Sequence, residues 1–142
     1  MNRIDTVTME QRFTKEPGSL KEVFGFLDRF LASHPVDPTA AYCITLAVEE
    51  FFTNIIKYGG TKSGTVSIIA SLDGRQIRVE LIDADADRFD PTERNAPDTN
   101  LPLEEKPIGG LGIHLSREML DDVQYEYTGR TGKITLVKNL EQ

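Results

Sequence analysis

Three polar residues in an otherwise apolar stretch carry the first chemical signal. Glu50, Asn54 and Lys57 stand four and then three residues apart in a segment running to Tyr58. At about 100° per residue, a helix gathers them into a wedge of roughly 60°. Val48, Phe51, Phe52, Ile55 and Ile56 fall on the other side, where they can anchor the helix in a core. A carboxamide oxygen is a neutral hard ligand that joins phosphate oxygens and waters around Mg²⁺. A carboxylate one turn earlier can take a proton from an attacking hydroxyl, and a lysine can offset phosphate charge. The triplet therefore suits a magnesium–nucleotide site; the plain alternative is an amphipathic helix with a solvated face. Glu49, directly before Glu50, leaves the choice of base open.

Two further places could serve the same ligand. Asp83 closes the apolar run Ile77–Ile82, and a carboxylate at a strand end can accept a hydrogen bond from an exocyclic amino group such as that of adenine. On its own, an Asp at a strand end is more often a turn former. Gly109, Gly110 and Gly112 precede an apolar-periodic segment. Glycines there let the backbone approach a ligand closely, and the free amides of a helix start favour phosphate. The run Asp83-Ala84-Asp85-Ala86-Asp87 invites a calcium reading, but the template wants Gly at its sixth position and Glu at its twelfth. Arg88 and Arg94 stand there, so the calcium reading fails. His114 and His34 have no second His or Cys at metal-ligand spacing and read as structural or exposed residues.

The elements that must position these groups are legible in the periodicity. Arg3–Phe13 alternates loosely through Val7, Met9 and Phe13 as a strand. Ser19 and Glu22 form a capping-box pattern ahead of a helix with Leu20, Val23, Phe24, Leu27 and Leu31 on one face, ended by His34 and Pro35. Asp37-Pro38 starts a second helix that runs to Tyr58 and stops at Gly59-Gly60. Val66 to Leu72 and Ile77 to Leu81 alternate as two strands, with Asp73-Gly74 as their hairpin turn. Residues 84–108 lack sustained periodicity and hold four of the seven prolines, as a functional lid or a linker would. A third helix is expected from Gly109 through Leu120, then a hairpin of Val123–Tyr127 with Ile134–Leu140. The order implies an α+β, two-layer sandwich in which three helices cover one face of a mainly antiparallel sheet.

Composition narrows the function classes. The 142 residues fit one domain, and no apolar run approaches the roughly 20 residues needed to cross a bilayer. Met1–Glu10 has neither an apolar core nor a cleavage-like site, and the single Cys43 cannot form an internal disulfide. Cys43 reads as a buried filler, and the expected location is the cytoplasm. With 23 acidic against 16 basic residues, the net charge of −7 repels nucleic-acid backbones, and no basic stripe is interleaved with aromatics. A small nucleotide is a separate case, since backbone amides and one metal ion can bind its phosphates.

Taken in chain order, these pieces resemble the GHKL (Bergerat-fold) ATPases over nearly the whole chain. Leu46-Ala47-Val48-Glu49-Glu50-Phe51-Phe52-Thr53-Asn54-Ile55-Ile56-Lys57-Tyr58-Gly59 is similar to their N box. Ile82-Asp83 through Phe89-Asp90-Pro91 resembles the first glycine box, and Gly109-Gly110-Leu111-Gly112-Ile113-His114-Leu115 the second. Residues 84–108 then correspond to the ATP lid. The short chain, without a phospho-acceptor histidine domain, is most similar to the anti-sigma-factor serine/threonine kinases of bacteria.

The resemblance implies ATP and Mg²⁺ as cofactors, with Glu50 as general base and Asn54 as metal ligand. It further implies that Asp83 binds the adenine amino group, that Gly110 and Gly112 hold phosphates beside Gly109, and that Lys57 assists. It implies a STAS-type antagonist protein as partner, a sigma factor as a second candidate, and a homodimer as one oligomeric state. This sequence departs from the family where glycine normally follows two residues after the Asp: Asp85 stands there, and Asp87 lies beyond it. The rival function is therefore a non-catalytic interaction module with a degenerate nucleotide site. A detached histidine-kinase catalytic domain is a third reading. The lid is expected to be unordered without ligand, because it has no apolar face to bury.

Overall fold

Alternation with a period of two builds the sheet. In the computed structural model, which describes residues 6–58, 64–84 and 119–140, five strands pair antiparallel throughout. They are β1 (Thr6–Thr14), β2 (Thr65–Asp73), β3 (Gln76–Asp83), β4 (Asp122–Thr128) and β5 (Thr131–Asn139), in the spatial order β1-β2-β3-β5-β4. Val66, Ile68, Ala70 and Leu72 of β2 are buried, as are Ile77, Val79 and Leu81 of β3. The β2–β3 turn is tight because Gly74 takes a positive φ of 62°, a conformation open to glycine at little cost.

Two helices cover the face on which those side chains lie. Helix α1 (Leu20–Ala32) buries Val23, Phe26, Leu27 and Phe30. Helix α2 (Pro38–Tyr58) starts where Asp37 Oδ2 accepts a hydrogen bond from the Ala40 amide, 3.0 Å away. That cap satisfies one of the free donors of the first turn. Phe13 of β1 ties strand and helices together, meeting Phe26 edge-on at 5.8 Å and Phe52 edge-on at 6.2 Å. The fold is the expected α+β sandwich. The third helix and the lid lie almost wholly outside the described residues; Leu120, at the end of that stretch, is buried in the same core.

One local expectation changes. Ser19 does not cap α1 with its side chain. It lies in a one-turn 3-10 helix (Pro17–Ser19), is buried, and shares a hydrogen bond with Thr14 Oγ1 at 2.7 Å. The proline-led turn folds Ser19 back onto the end of β1, so its hydroxyl is committed before the helix begins. Helix α1 ends at Ala32, just before His34 and Pro35 as expected, and the Ser33 hydroxyl donates to the Phe30 carbonyl and closes the last turn.

Candidate functional site

The polar wedge of α2 is graded from core to solvent. Asn54 is fully buried, Glu50 is half-buried and Lys57 is exposed. Asn54 Nδ2 donates to the Glu50 carbonyl at 2.8 Å. A carbonyl only accepts, so this bond fixes which way the amide faces. Its other end, Oδ1, is buried and has no hydrogen-bond partner. An unpaired buried acceptor costs about 1–3 kcal/mol and calls for an explanation. A cation that takes one neutral oxygen would satisfy it. Among the described residues no cluster of three His, Cys, Asp or Glu side chains could hold a metal. A single neutral carboxamide oxygen is compatible with Mg²⁺, which keeps several waters and takes most other ligands from phosphates.

One turn earlier, burial pushes the Glu50 carboxyl above its ordinary value, the neighbouring charge of Glu49 adds to the rise, and Lys57 opposes it. A carboxylate tuned upward is a better proton acceptor near neutral pH.

The sheet register places Asp83 at the same end of the molecule. Phe13, Val66, Asp83, Gly132 and Tyr127 form one cross-strand row. Phe13 touches Phe52, two residues before Asn54. Asn54 lies roughly 160° around the helix from Phe52, on the flank away from β1. Asp83 is buried, and beside it in the row stands the buried Gly132, which has no side chain to fill the space. Lys133, the next residue of β5, pairs with Glu80 at 3.1 Å.

One residue at this end was not singled out in the sequence. Lys15 is buried, and its Nζ lies 2.7 Å from Asp83 Oδ1. The signal was available in the alternation of β1: Val7, Met9, Gln11 and Phe13 share a face, and the next step of two is Lys15. Gly109, Gly110 and Gly112, together with Asp85 and Asp87, lie outside the described residues.

Strand order, helix placement and the Glu50–Asn54 turn together invite comparison with known folds. The histidine kinase-like ATPase domain profile matches residues 13–138. The chain belongs to that family. Among solved structures it is similar to the RsbU and RsbW domains of Rv1364c from Mycobacterium tuberculosis, with a TM-score of 0.69 and 16% identity over 96% of this chain and 33% of that one. The protein thus spans about a third of that relative's length. It is also similar to the SiaB–SiaC complex from Pseudomonas aeruginosa, with a TM-score of 0.62 and 13% identity over 91% of this chain and 88% of that one. The histidine kinase domain of a blue-light activated kinase from Erythrobacter litoralis has a TM-score of 0.53 at 17% identity, over 87% of this chain and 60% of that one. At such identities these likenesses speak for the fold. No curated protein sequence matches the chain. Among the described residues, no helix is long and apolar enough to cross a membrane.

Proposed function

We propose that this domain is a Mg·ATP-dependent protein serine/threonine kinase of the anti-sigma-factor type, acting in a partner-switching pathway. The observation that carries the reading is the buried, unpartnered Oδ1 of Asn54 one turn after the half-buried Glu50. In this reading Asn54 Oδ1 binds the metal and Glu50 accepts the proton of the serine hydroxyl on the partner. Asp83 accepts from the adenine amino group. The amides around Gly109, Gly110 and Gly112 hold phosphates, and Lys57 adds positive charge at the rim. Magnesium, when bound, offsets the charge of the phosphate oxygens. The partner we favour is a STAS-type antagonist protein, with a sigma factor as a second client and a homodimer as one working state. That one relative was solved in complex with a second protein supports a partner-binding role.

A second reading has its own observation. Asp83 is already engaged by Lys15, and the sequence carries Asp85 where the family's first glycine box normally has glycine, with Asp87 beyond it. An interaction module that no longer uses nucleotide would tolerate both. Titration calorimetry with ATP and Mg²⁺, on the parent and on Asn54→Ala, separates the two. Binding that needs Mg²⁺ and is lost in Asn54→Ala supports the kinase, and transfer of labelled phosphate to a serine of the partner completes it. No heat at millimolar ATP sinks the kinase reading.

A further inference from the structure

A buried lysine–aspartate pair is a poor stability device. Desolvating both charges offsets most of their attraction, and an apolar pair of similar volume often serves as well or better. Lysine also gives up about 2 kcal/mol of rotamer freedom when it is fixed. Yet the end of β1 is built to hold Lys15 in place. The Glu16 amide turns back to the Thr14 carbonyl at 2.9 Å, and the Ser19 amide to the Glu16 carbonyl at 2.9 Å. The Thr14 hydroxyl contacts both Glu16 Oε2 at 2.8 Å and Ser19 Oγ at 2.7 Å. These bonds fix the chain on either side of Lys15. The ion pair then lies in the cross-strand row whose next position is the side-chain-free Gly132.

We propose that Lys15 is a base-reading residue: Lys15 and Asp83 form a donor–acceptor couple that reads the N1/N6 edge of adenine. The inference rests on the nucleotide reading above and adds a residue to it. Adenine presents an amino donor at N6 and a ring acceptor at the adjacent N1. A carboxylate serves only the first and leaves N1 stripped of water. An ammonium in contact with that carboxylate supplies the missing donor, since lysine carries three N–H bonds and no acceptor. The couple is also neutral overall, so an uncharged base docks against balanced charge rather than against a bare buried carboxylate.

The test is calorimetry on the unmodified full chain, comparing Mg·ATP with 1-deaza-ATP, in which ring N1 is replaced by C–H. A hydrogen bond to a charged donor predicts an affinity loss of about tenfold to a hundredfold for the analogue. In Lys15→Met, ATP should weaken by a similar factor and the two nucleotides should bind within about twofold of each other. Equal binding of both nucleotides by the unmodified chain overturns the role of Lys15 and leaves the nucleotide reading standing. GTP binding more tightly than ATP overturns it as well. No binding of either adenine nucleotide ends both readings together. Because the decisive comparison uses the unmodified protein, a Lys15→Met variant that fails to fold does not block it.

Discussion

The two ends of the candidate site differ in how their buried polar groups are satisfied. On α2, the buried Asn54 holds one neutral oxygen that accepts no hydrogen bond. At the close of β3, the buried Asp83 is met by an ammonium from another strand. A metal ion needs an acceptor free of competing donors, because any N–H already on the oxygen must be stripped away first. A neutral base has the opposite need, since a lone buried carboxylate would force the site to carry net charge whether occupied or not. On the proposed reading, one end suits a cation and the other an uncharged heterocycle.

That contrast can be broken from either side. The largest effect should come from Glu50→Gln, which keeps the side chain's shape and removes its basicity. General base catalysis contributes about 10²–10⁴-fold, so phosphate transfer to the partner should fall by that factor while Mg·ATP affinity stays within a few-fold. If nucleotide affinity collapses with the rate, Glu50 belongs to the binding machinery. Next in size is the strand end. Removing one charge of a buried pair costs about 3–5 kcal/mol, so Lys15→Met or Asp83→Leu alone should lower the urea midpoint sharply. The double variant should recover most of the loss. Equal damage from the double and single variants would mean that the pair's surroundings, rather than its charge, stabilise this corner.

How far each end could be read in advance follows from the range of the interactions that make it. The α2 wedge is local. Residues four and three apart on one helix must share a flank, so Glu50, Asn54 and Lys57 were placed together by spacing alone. The hairpin at Asp73-Gly74 and the Asp37 cap at the start of α2 are local in the same sense. The Lys15–Asp83 contact joins β1 to β3 across an intervening strand, and nothing in either segment names the other. Alternation placed Lys15 on the inward face, but a lysine two residues before Pro17-Gly18 reads as an exposed turn unless that count is carried one step further. Ser19 failed as a cap for a related reason: the sequence pattern for a capping box is satisfied, while a neighbouring hydroxyl on β1 claims the side chain first.

The Asn54 end should answer mutation with the opposite sign from the Lys15 end. Asn54→Leu fills a similar volume and removes a buried acceptor that lacks a partner. The Glu50 carbonyl keeps its backbone role in the helix. Stability without ligand should therefore rise, by about 1–3 kcal/mol at most, even as Mg·ATP ceases to protect the protein against unfolding. A gain in stability with loss of ligand response is the signature of a functional atom held at a structural cost. A clear loss of stability would show that the amide is serving the core after all.

The smallest effect is the dependence of stability on pH that Glu50 contributes. Burial, reinforced by Glu49 and opposed by Lys57, raises its folded-state value above the ordinary 4.5. Between those two values the folded chain binds more protons than the unfolded one, so stability falls as pH rises through that window. Below 4.5 the group contributes no penalty; above its raised value the penalty is constant. Because the side chain is half-exposed, solvent screening keeps the effect small. Subtracting the unfolding curve of Glu50→Gln from that of the parent isolates it, and a difference independent of pH would remove the premise. If Glu50 is the base, transfer must rise with pH across the same window, since only the ionised carboxylate can take the serine proton. Rate and stability would then move in opposite directions as one carboxyl group titrates, a pairing that a merely solvated surface glutamate does not produce.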